Sequence, residues 1–342
     1  MPALAVADAL RAEGAGVAFV GGERAELELV PAAGYELHRI RVVPLPRRRP
    51  LRAARAAATD ARAVLAARRI VRMTRPAAVL GAGGYVAGPV GLAGVSLRVP
   101  LVLLEADSHL GLTNRLLAPF AKRVCLAFPI EGREGRRYRV TGRPVPPPAT
   151  DRAAARRRFG IEPYETCVLV FGGSQGARSI NHAAIAAFAG ARFHVLHAAG
   201  ERDLQDLEAP GPHYDLRGYI SGFGEALIAS DLVVARAGGS IFEIAAAGKP
   251  AVLIPYPYAT ADHQTANARF MERAGAAVVI PDSELTAPRL AQEVGGLLAD
   301  HTRLAAMANA SAELARPDSA GEIASEVLAA ARPRRGGRQQ GG

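Results

Sequence analysis

Residues Val168-Leu-Val-Phe-Gly-Gly-Ser-Gln-Gly-Ala-Arg178 run from an uninterrupted apolar stretch into a glycine-rich turn and on into a helix beginning near Ala177. A short apolar run bounded by a turn reads as a buried strand, and strand, turn and helix in succession are the building step of a parallel α/β sheet. Such a turn points backbone N–H groups and a helix dipole at an anion, and its glycines let a phosphate come close. The stretch lacks the Gly-Lys-Ser/Thr ending of a nucleoside-triphosphatase loop and the spacing of a dinucleotide fingerprint. It reads as a diphosphate cradle, against the alternative of a turn that serves only the fold.

The same alternation recurs on both sides. Strands are predicted over 167–171, 193–197, 231–235, 251–255 and 276–280 in the second half, and over 17–20, 36–40, 78–80, 101–104 and 123–126 in the first. Two doubly wound α/β units result. Between them, Thr141-Gly-Arg-Pro-Val-Pro-Pro-Pro-Ala-Thr150 carries consecutive prolines, which continue neither a helix nor a central strand and favour a stiff, extended connector. The expected organisation is a first domain over 1–143, a second over 144–330 and a disordered basic tail over 331–342. Ligands of open α/β sheets sit beyond the carboxyl ends of the strands, so two such sheets facing each other are expected to form a cleft where chemistry occurs. Residues 2–14 read as a helix with Pro2 in its first turn and Gly14 at its end, leading directly into a strand. A doubly wound domain ordinarily opens with a strand and a phosphate-facing turn, and both are expected to be missing here through truncation or a misassigned start.

With 342 residues, 49% of them hydrophobic, the chain can bury the cores of two domains. No apolar run approaches the roughly eighteen uncharged residues of a membrane span, and the opening residues lack a signal-peptide pattern, which points to the cytoplasm. The net charge of +10 suggests an anionic partner, although arginines on alanine-rich helices also reflect a GC-rich genome. Aromatics at 5%, the absence of Trp and the lack of basic stretches interleaved with stacking rings argue against nucleic acid. Cys125 and Cys167 lie in separate apolar runs and read as buried thiols rather than a bridge or metal pair.

Three further segments carry candidate chemistry. Gly81-Ala-Gly-Gly-Tyr-Val-Ala-Gly-Pro89 follows a strand and either holds a polar group from the far side of the cleft or packs a helix closely on the sheet. In Arg236-Ala-Gly-Gly-Ser-Ile-Phe-Glu-Ile-Ala-Ala-Ala-Gly248, Glu243 falls on the first turn of a helix at a strand's end. It is placed to accept both hydroxyls of a ribose, or simply to complement the helix dipole. In Pro255-Tyr-Pro-Tyr-Ala-Thr-Ala-Asp-His-Gln-Thr-Ala-Asn267, Gln264 and Asn267 share a helical face and suit sugar hydroxyls, with Asp262 as a helix cap. One His beside one Asp is too few ligands at recognisable spacing, so neither metal nor cofactor is expected.

Together with Gly111-Leu-Thr-Asn, Gly172-Gly-Ser-Gln-Gly-Ala-Arg, Glu243-Ile-Ala-Ala-Ala-Gly-Lys-Pro and Asp262-His-Gln-Thr-Ala-Asn-Ala, these segments occur in the order found in the MurG family of peptidoglycan N-acetylglucosaminyltransferases. The resemblance spans residues 2 to 330 and implies the GT-B architecture, two Rossmann-like domains around a cleft. It implies inverting transfer of N-acetylglucosamine from UDP-N-acetylglucosamine to undecaprenyl-linked lipid I, forming lipid II. By this likeness Ser174 and Gln175 contact the diphosphate, backbone near Ile220 holds uracil, Glu243 takes the ribose and Gln264 the donor sugar. Ser240 and Phe242 match the family's donor loop, which is one residue shorter here.

The likeness assigns Gly83, Gly84, Tyr85 and Asn114 to the acceptor side. Arg47-Arg-Arg-Pro-Leu-Arg-Ala-Ala-Arg55 falls where the family meets the membrane, with each near-surface cation favoured by about 1 kcal/mol against anionic headgroups. Arg52, Arg55, Arg62 and Arg69 share one side of the following helix, which is either a continuation of that surface or a solvated face, and the likeness implies a peripheral protein on the cytoplasmic face of the plasma membrane. Three departures bear on chemistry. The histidine of the family's first glycine-rich turn would precede Pro2, which leaves Glu105 and His109 as acid/base candidates. Glu105-Ala-Asp107 replaces Glu-Gln-Asn, so Asp107 alters the contact to the N-acetyl group, and Gly142-Arg-Pro-Val-Pro displaces a donor-binding arginine to Arg143. A transferase with another acceptor, such as diacylglycerol, and a nucleotide-sugar-binding protein without catalysis are the alternatives.

Overall fold

A computed structural model describes residues 2–22, 26–42, 50–173, 176–259 and 262–332, with backbone alone over 50–60. The chain opens with α1 (Pro2–Ala12), β1 (Ala18–Gly21), α2 (Glu26–Ala32) and β2 (Glu36–Arg39). It continues through α3 (Pro50–Thr74), β3 (Val79–Gly81), α4 (Ala87–Ser96), β4 (Leu101–Glu105), α5 (Leu112–Leu117), β5 (Arg123–Leu126) and β6 (Tyr138–Val140). The second half runs α6 (Arg152–Arg158), β7 (Cys167–Phe171), α7 (Arg178–Ala187), β8 (His194–Ala198), α8 (Glu201–Leu204), β9 (Tyr214–Arg217), α9 (Phe223–Ala229) and β10 (Leu232–Ala235). It closes with α10 (Ile241–Ala246), β11 (Ala251–Leu253), α11 (His263–Arg273), β12 (Ala277–Val279), α12 (Ala287–Ala299), α13 (His301–Glu313) and α14 (Ser319–Ala331).

These elements form two compact units, one of Met1–Pro144 with Asp318–Gly342 and one of Val145–Pro317. Both are Rossmann-like, with parallel strands alternating with helices. In the first, β3-β4-β5-β6 form a parallel sheet and β1 pairs with β2 in a separate parallel ladder. In the second, six parallel strands take the order β12-β11-β10-β7-β8-β9. The central strands β4 and β7 are buried along their whole length, as a parallel sheet covered on both faces requires. Helices α7 and α12 cover Val168, Val170 and Val234 through Ile180, Leu290, Val294 and Leu297.

The second domain was expected to continue to residue 330, but α14 returns to the first unit. The reason is hydrophobic burial. Ile323 and Val327 pack with Val6 and Leu10 of α1 over Val102, Leu104 and Cys125, covering a sheet face that would otherwise meet water. Arg123 and Arg139 on β5 and β6 pair with Glu326 of the same helix. The basic tail expected after Arg332 lies outside the described residues. Both cysteines are buried and free, and burial pushes each thiol up to about 12.

Two strands were not predicted, β6 and β9, and both are sheet edges. Edge strands carry charge on the side that faces water, which removes the apolar run a sequence reading relies on. Tyr138-Arg-Val140 is largely exposed, and β9 carries Asp215 paired with Arg217 two residues on.

The carboxyl end of α9 is closed by cations. Lys249 Nζ donates to the carbonyls of Ile228 and Ser230, Arg152 donates to the same two, and Arg156 donates to that of Ala229. Carbonyls left open at a helix end accept such donors and favour positive charge. Burial lowers the Lys249 ammonium to about 8.

A second buried network fastens α7 to the sheet. Asn181 Nδ2 donates to the Ala199 carbonyl and to Asp203, so its Oδ1 faces His197 Nε2 at 3.1 Å and that nitrogen carries the proton. His197 Nδ1 then accepts from the Tyr214 hydroxyl at 2.8 Å. Burial holds the imidazole neutral, lowering it from 6.5 to about 4. The unfolded chain therefore binds a proton that the folded state refuses between those values. Stability from this site is complete above pH 6.5 and is lost as pH falls toward 4. Denaturant titrations across this range should show His197→Phe flattening the profile relative to the parent chain, by up to about 1.4 kcal/mol per pH unit.

Candidate functional site

The loops beyond the carboxyl ends of β7, β10 and β11 carry most of the site residues that the sequence predicts in the second unit. After Phe171 the backbone folds tightly on itself. A Cβ on Gly172 would stand 2.4 Å from the Ala177 nitrogen, and one on Gly176 would stand 2.1 Å from the Ala199 carbonyl oxygen. Gly176 also has φ +74, and its N–H donates to the Gly173 carbonyl. These contacts bring the turn against the start of α7, whose cap is Ala177 with no side-chain bond to its first N–H groups. Helix-end N–H groups without a side-chain acceptor are what an anion ligand uses. Ser174 and Gln175, assigned to the diphosphate, lie outside the described residues.

The turn after β10 leads into α10 with Ser240 at the cap and Glu243, half-buried, in the first turn. Phe242 is buried at 9% exposure and its ring belongs to the core. Beyond β11, Gln264 Oε1 accepts from the Tyr256 N–H at 3.0 Å, and its Nε2 lies 3.9 Å from where a Gly238 Cβ would stand. Its amide thus bridges the loops after β10 and β11. Asn267 was read with it as a sugar ligand, but it is buried and donates to the Ala237 carbonyl, which makes it a brace for the turn. Asp262 takes the cap position with a left-handed backbone, φ +53, and accepts from the Thr265 hydroxyl rather than from a backbone N–H. Ile220 is buried just after β9, beside an exposed Tyr219.

A polar cluster beneath these loops escaped the sequence reading. Arg236, 8% exposed, ends β10 and donates to Asp282 Oδ1 at 2.6 Å, to Ser179 Oγ at 2.8 Å and to the carbonyls of Ile254 and Pro255. Ser179 in turn donates to the same Asp282 oxygen at 2.7 Å. The guanidinium also lies 5.5 Å from the Tyr256 ring centre. The available signal was a charged residue directly after the apolar run Leu232-Val-Val-Ala235, a position where burial demands partners.

In the first unit, Gly83 and Gly84 both have positive φ and lie with exposed Tyr85 in the turn before α4. The loop from β4 to α5 is organised by Glu105, which is 5% exposed. Its Oε1 accepts from the Asp107 N–H, and its Oε2 accepts from the Gly111 N–H at the cap of α5 and from Asn114 Nδ2. Asn114 also donates to the Leu104 carbonyl and is buried. Asp107 and His109 are half-buried on the same loop, and Arg143 is half-buried in the extended segment after β6.

Residues 167–323 match the glycosyltransferase family 28 C-terminal domain, and residues 1–126 match its N-terminal domain. The chain is 37% identical over 339 residues to the UDP-N-acetylglucosamine--N-acetylmuramyl-(pentapeptide) pyrophosphoryl-undecaprenol N-acetylglucosamine transferase of Halothermothrix orenii, covering 92% of this chain and 91% of that one. It is 41% identical over 350 residues to the enzyme of the same name from Moorella thermoacetica, covering 96% and 94%. The crystal structure of Acinetobacter baumannii MurG superposes with a TM-score of 0.76 at 28% identity, covering 96% of this chain and 95% of that one.

Two substitutions separate backbone strain from steric closure in the turn after β7. Gly173 has φ +91 but open space around its Cα, so Gly173→Ala should cost only the left-handed penalty of about 1–2 kcal/mol. Gly176→Ala adds a collision with backbone and should lower the thermal unfolding midpoint further than Gly173→Ala does.

Proposed function

The chain belongs to the MurG family of glycosyltransferases, and on that premise we propose the following reaction and division of labour. It is a hexosyltransferase that moves N-acetylglucosamine from UDP-N-acetylglucosamine to lipid I, forming lipid II in peptidoglycan synthesis. The observation that carries this reading is a match to named transferases along more than nine-tenths of both chains.

In the reaction an acceptor hydroxyl oxygen attacks the anomeric carbon of the donor, the bond from that carbon to the diphosphate oxygen breaks, and the hydroxyl proton passes to a base. The negative charge that grows on the departing UDP is met by the N–H groups of the turn 172–176 and the start of α7. Ser174 and Gln175 belong to this contact by the family likeness of the segment Gly172-Gly-Ser-Gln-Gly. Backbone at Ile220 takes the uracil, Glu243 the ribose hydroxyls, Ser240 and Phe242 backbone the adjoining groups, and Gln264 the sugar. The half-buried carboxylate of Glu243 on a first helical turn supports its role.

Gly83, Gly84 and Tyr85 serve the acceptor, and Asp107 and Arg143 contact the donor sugar and diphosphate. Glu105 already accepts three hydrogen bonds from its own loop, and with Asn114 it holds that loop in shape. Of the other titratable side chains on this loop, Asp107 faces the donor in this reading and His109 takes the acceptor proton.

The protein works as a peripheral enzyme on the cytoplasmic face of the plasma membrane. None of the described helices is long and apolar enough to cross a bilayer. Leu112 and Leu116 on α5 and Phe120 one turn on are 48%, 63% and 61% exposed, an apolar stripe with Arg115 beside it. A stripe of this kind fits an interfacial contact with an anionic leaflet. Exposed Arg62 and Arg69 on α3 add positive charge, while Arg47, Arg48 and Arg49 lie outside the described residues and only backbone is described at Arg52 and Arg55.

Purified protein should transfer radiolabelled N-acetylglucosamine from its UDP donor to lipid I and not to diacylglycerol, and label on diacylglycerol alone would overturn the acceptor. Calorimetric titration should show Glu243→Ala weakening UDP binding, since each lost bond to a charged acceptor is worth about 1.5–3 kcal/mol. In vesicle sedimentation with anionic lipid, Leu116→Ser combined with Phe120→Ser should leave more protein in the supernatant while transfer to detergent-dispersed lipid I continues.

A further inference from the structure

We propose that Arg236, Ser179 and Asp282 form a positioning triad that holds the loops of the donor site in one arrangement, so that donor affinity depends on side chains that need not touch the donor. The inference rests on the donor site assigned above.

Each member comes from a different element. Arg236 ends β10 and begins the turn that leads to Ser240, Phe242 and Glu243. Ser179 stands in the first turn of α7, directly after the glycine-rich turn 172–176. Asp282 opens the short 3-10 helix Asp282–Glu284 that follows β12. The three side chains close a ring whose donors and acceptors all agree. Arg236 Nη2 donates to Ser179 Oγ, Ser179 donates its proton to Asp282 Oδ1, and Arg236 Nη1 donates to that same oxygen. Nη1 also holds the carbonyls of Ile254 and Pro255, and the guanidinium lies against the ring of Tyr256, whose N–H engages Gln264.

One planar cation therefore connects the helix start facing the diphosphate, the turn carrying the ribose ligand and the loop carrying the sugar ligand. A guanidinium presents its donors in a rigid fork, so it fixes the directions between these loops as well as their distances. Side chains around it are 10% exposed for Arg236 and 21% for Asp282, which leaves little water to substitute for a missing partner. Fold stability alone does not require this arrangement. The strands beneath are already joined by continuous parallel ladders, whereas the loops above them have no such ladder. Binding geometry within about 0.5 Å is what a supporting set of hydrogen bonds secures.

The test uses the full chain and three variants, Asp282→Ala, Ser179→Ala and Ser179→Thr. Calorimetry gives the Kd for UDP-N-acetylglucosamine, steady-state transfer to lipid I gives KM for donor and acceptor and kcat, and thermal melting reports folding. Asp282→Ala and Ser179→Ala should each raise the donor Kd and donor KM by about tenfold, since each removes two hydrogen bonds of the ring and part of that loss reaches the donor. Acceptor KM should not move, and Ser179→Thr, which keeps the hydroxyl, should return donor affinity to within about twofold of the parent chain. Parent-like donor binding in both alanine variants, or a threonine variant as weak as the alanine one, overturns the triad. Should Asp282→Ala fail to fold, the Ser179 pair decides alone. A parent chain that binds no UDP-N-acetylglucosamine overturns the donor site itself, whereas binding by the parent with no response in the variants removes only the triad.

Discussion

Everything on the ligand-facing side of the second unit depends on how closely the chain after β7 can return upon itself. The backbone of Gly172 comes so near Ala177, and that of Gly176 so near the Ala199 carbonyl, that no side chain fits at either place. The closeness follows from parallel-sheet geometry, in which each strand must hand over to a helix that packs back across the same sheet. It leaves the first N–H groups of α7 facing outward with no side-chain cap. Helix-start N–H groups without a side-chain acceptor suit an anion.

The loops around that point are held by buried polar groups that bond within the fold. Glu105 spends its acceptors on the loop from β4 to α5, Asn267 braces the turn after β10, and Asn181 joins α7 to His197. Polar side chains buried in this way carry a large penalty if left unpaired, so each one also selects a single loop conformation. The proteins this chain resembles must seat a charged, flexible nucleotide sugar, and loops held by such networks need less ordering when it binds. Much of the positive charge has comparable structural work. Lys249, Arg152 and Arg156 close one helix end, and Arg236 spans several elements.

The sequence made the interior strands and the glycine turns legible, because both follow from local pattern. Cys167–Phe171 and Arg123–Leu126 form strands where an apolar run predicts them, and Glu243 stands in a first helical turn as its spacing implies. Strands β6 and β9 were not legible, since charged residues on an exposed edge break the alternation that signals a strand. The same limit applies to function. Gln264 stands at the start of α11 beside a polar loop that drew attention to it, while Asp282 and Ser179 lie 103 residues apart and join only when α7 and the segment after β12 come together. Asn267 suits a sugar hydroxyl by residue type, yet an amide can serve the backbone as readily, and its burial and bond to Ala237 are visible only in the fold.

The return of α14 to the first unit has a consequence for how the protein is made. Residues 145–317 are contiguous and can fold as they leave the ribosome, whereas the sheet face at Val102, Leu104 and Cys125 waits for Ile323 and Val327. At about 5–20 residues per second, the stretch between Cys125 and Ile323 takes roughly ten to forty seconds to make, and for that time α14 is missing from the face. Until the last helix is made, the part of this apolar face that Ile323 and Val327 cover stays unsealed.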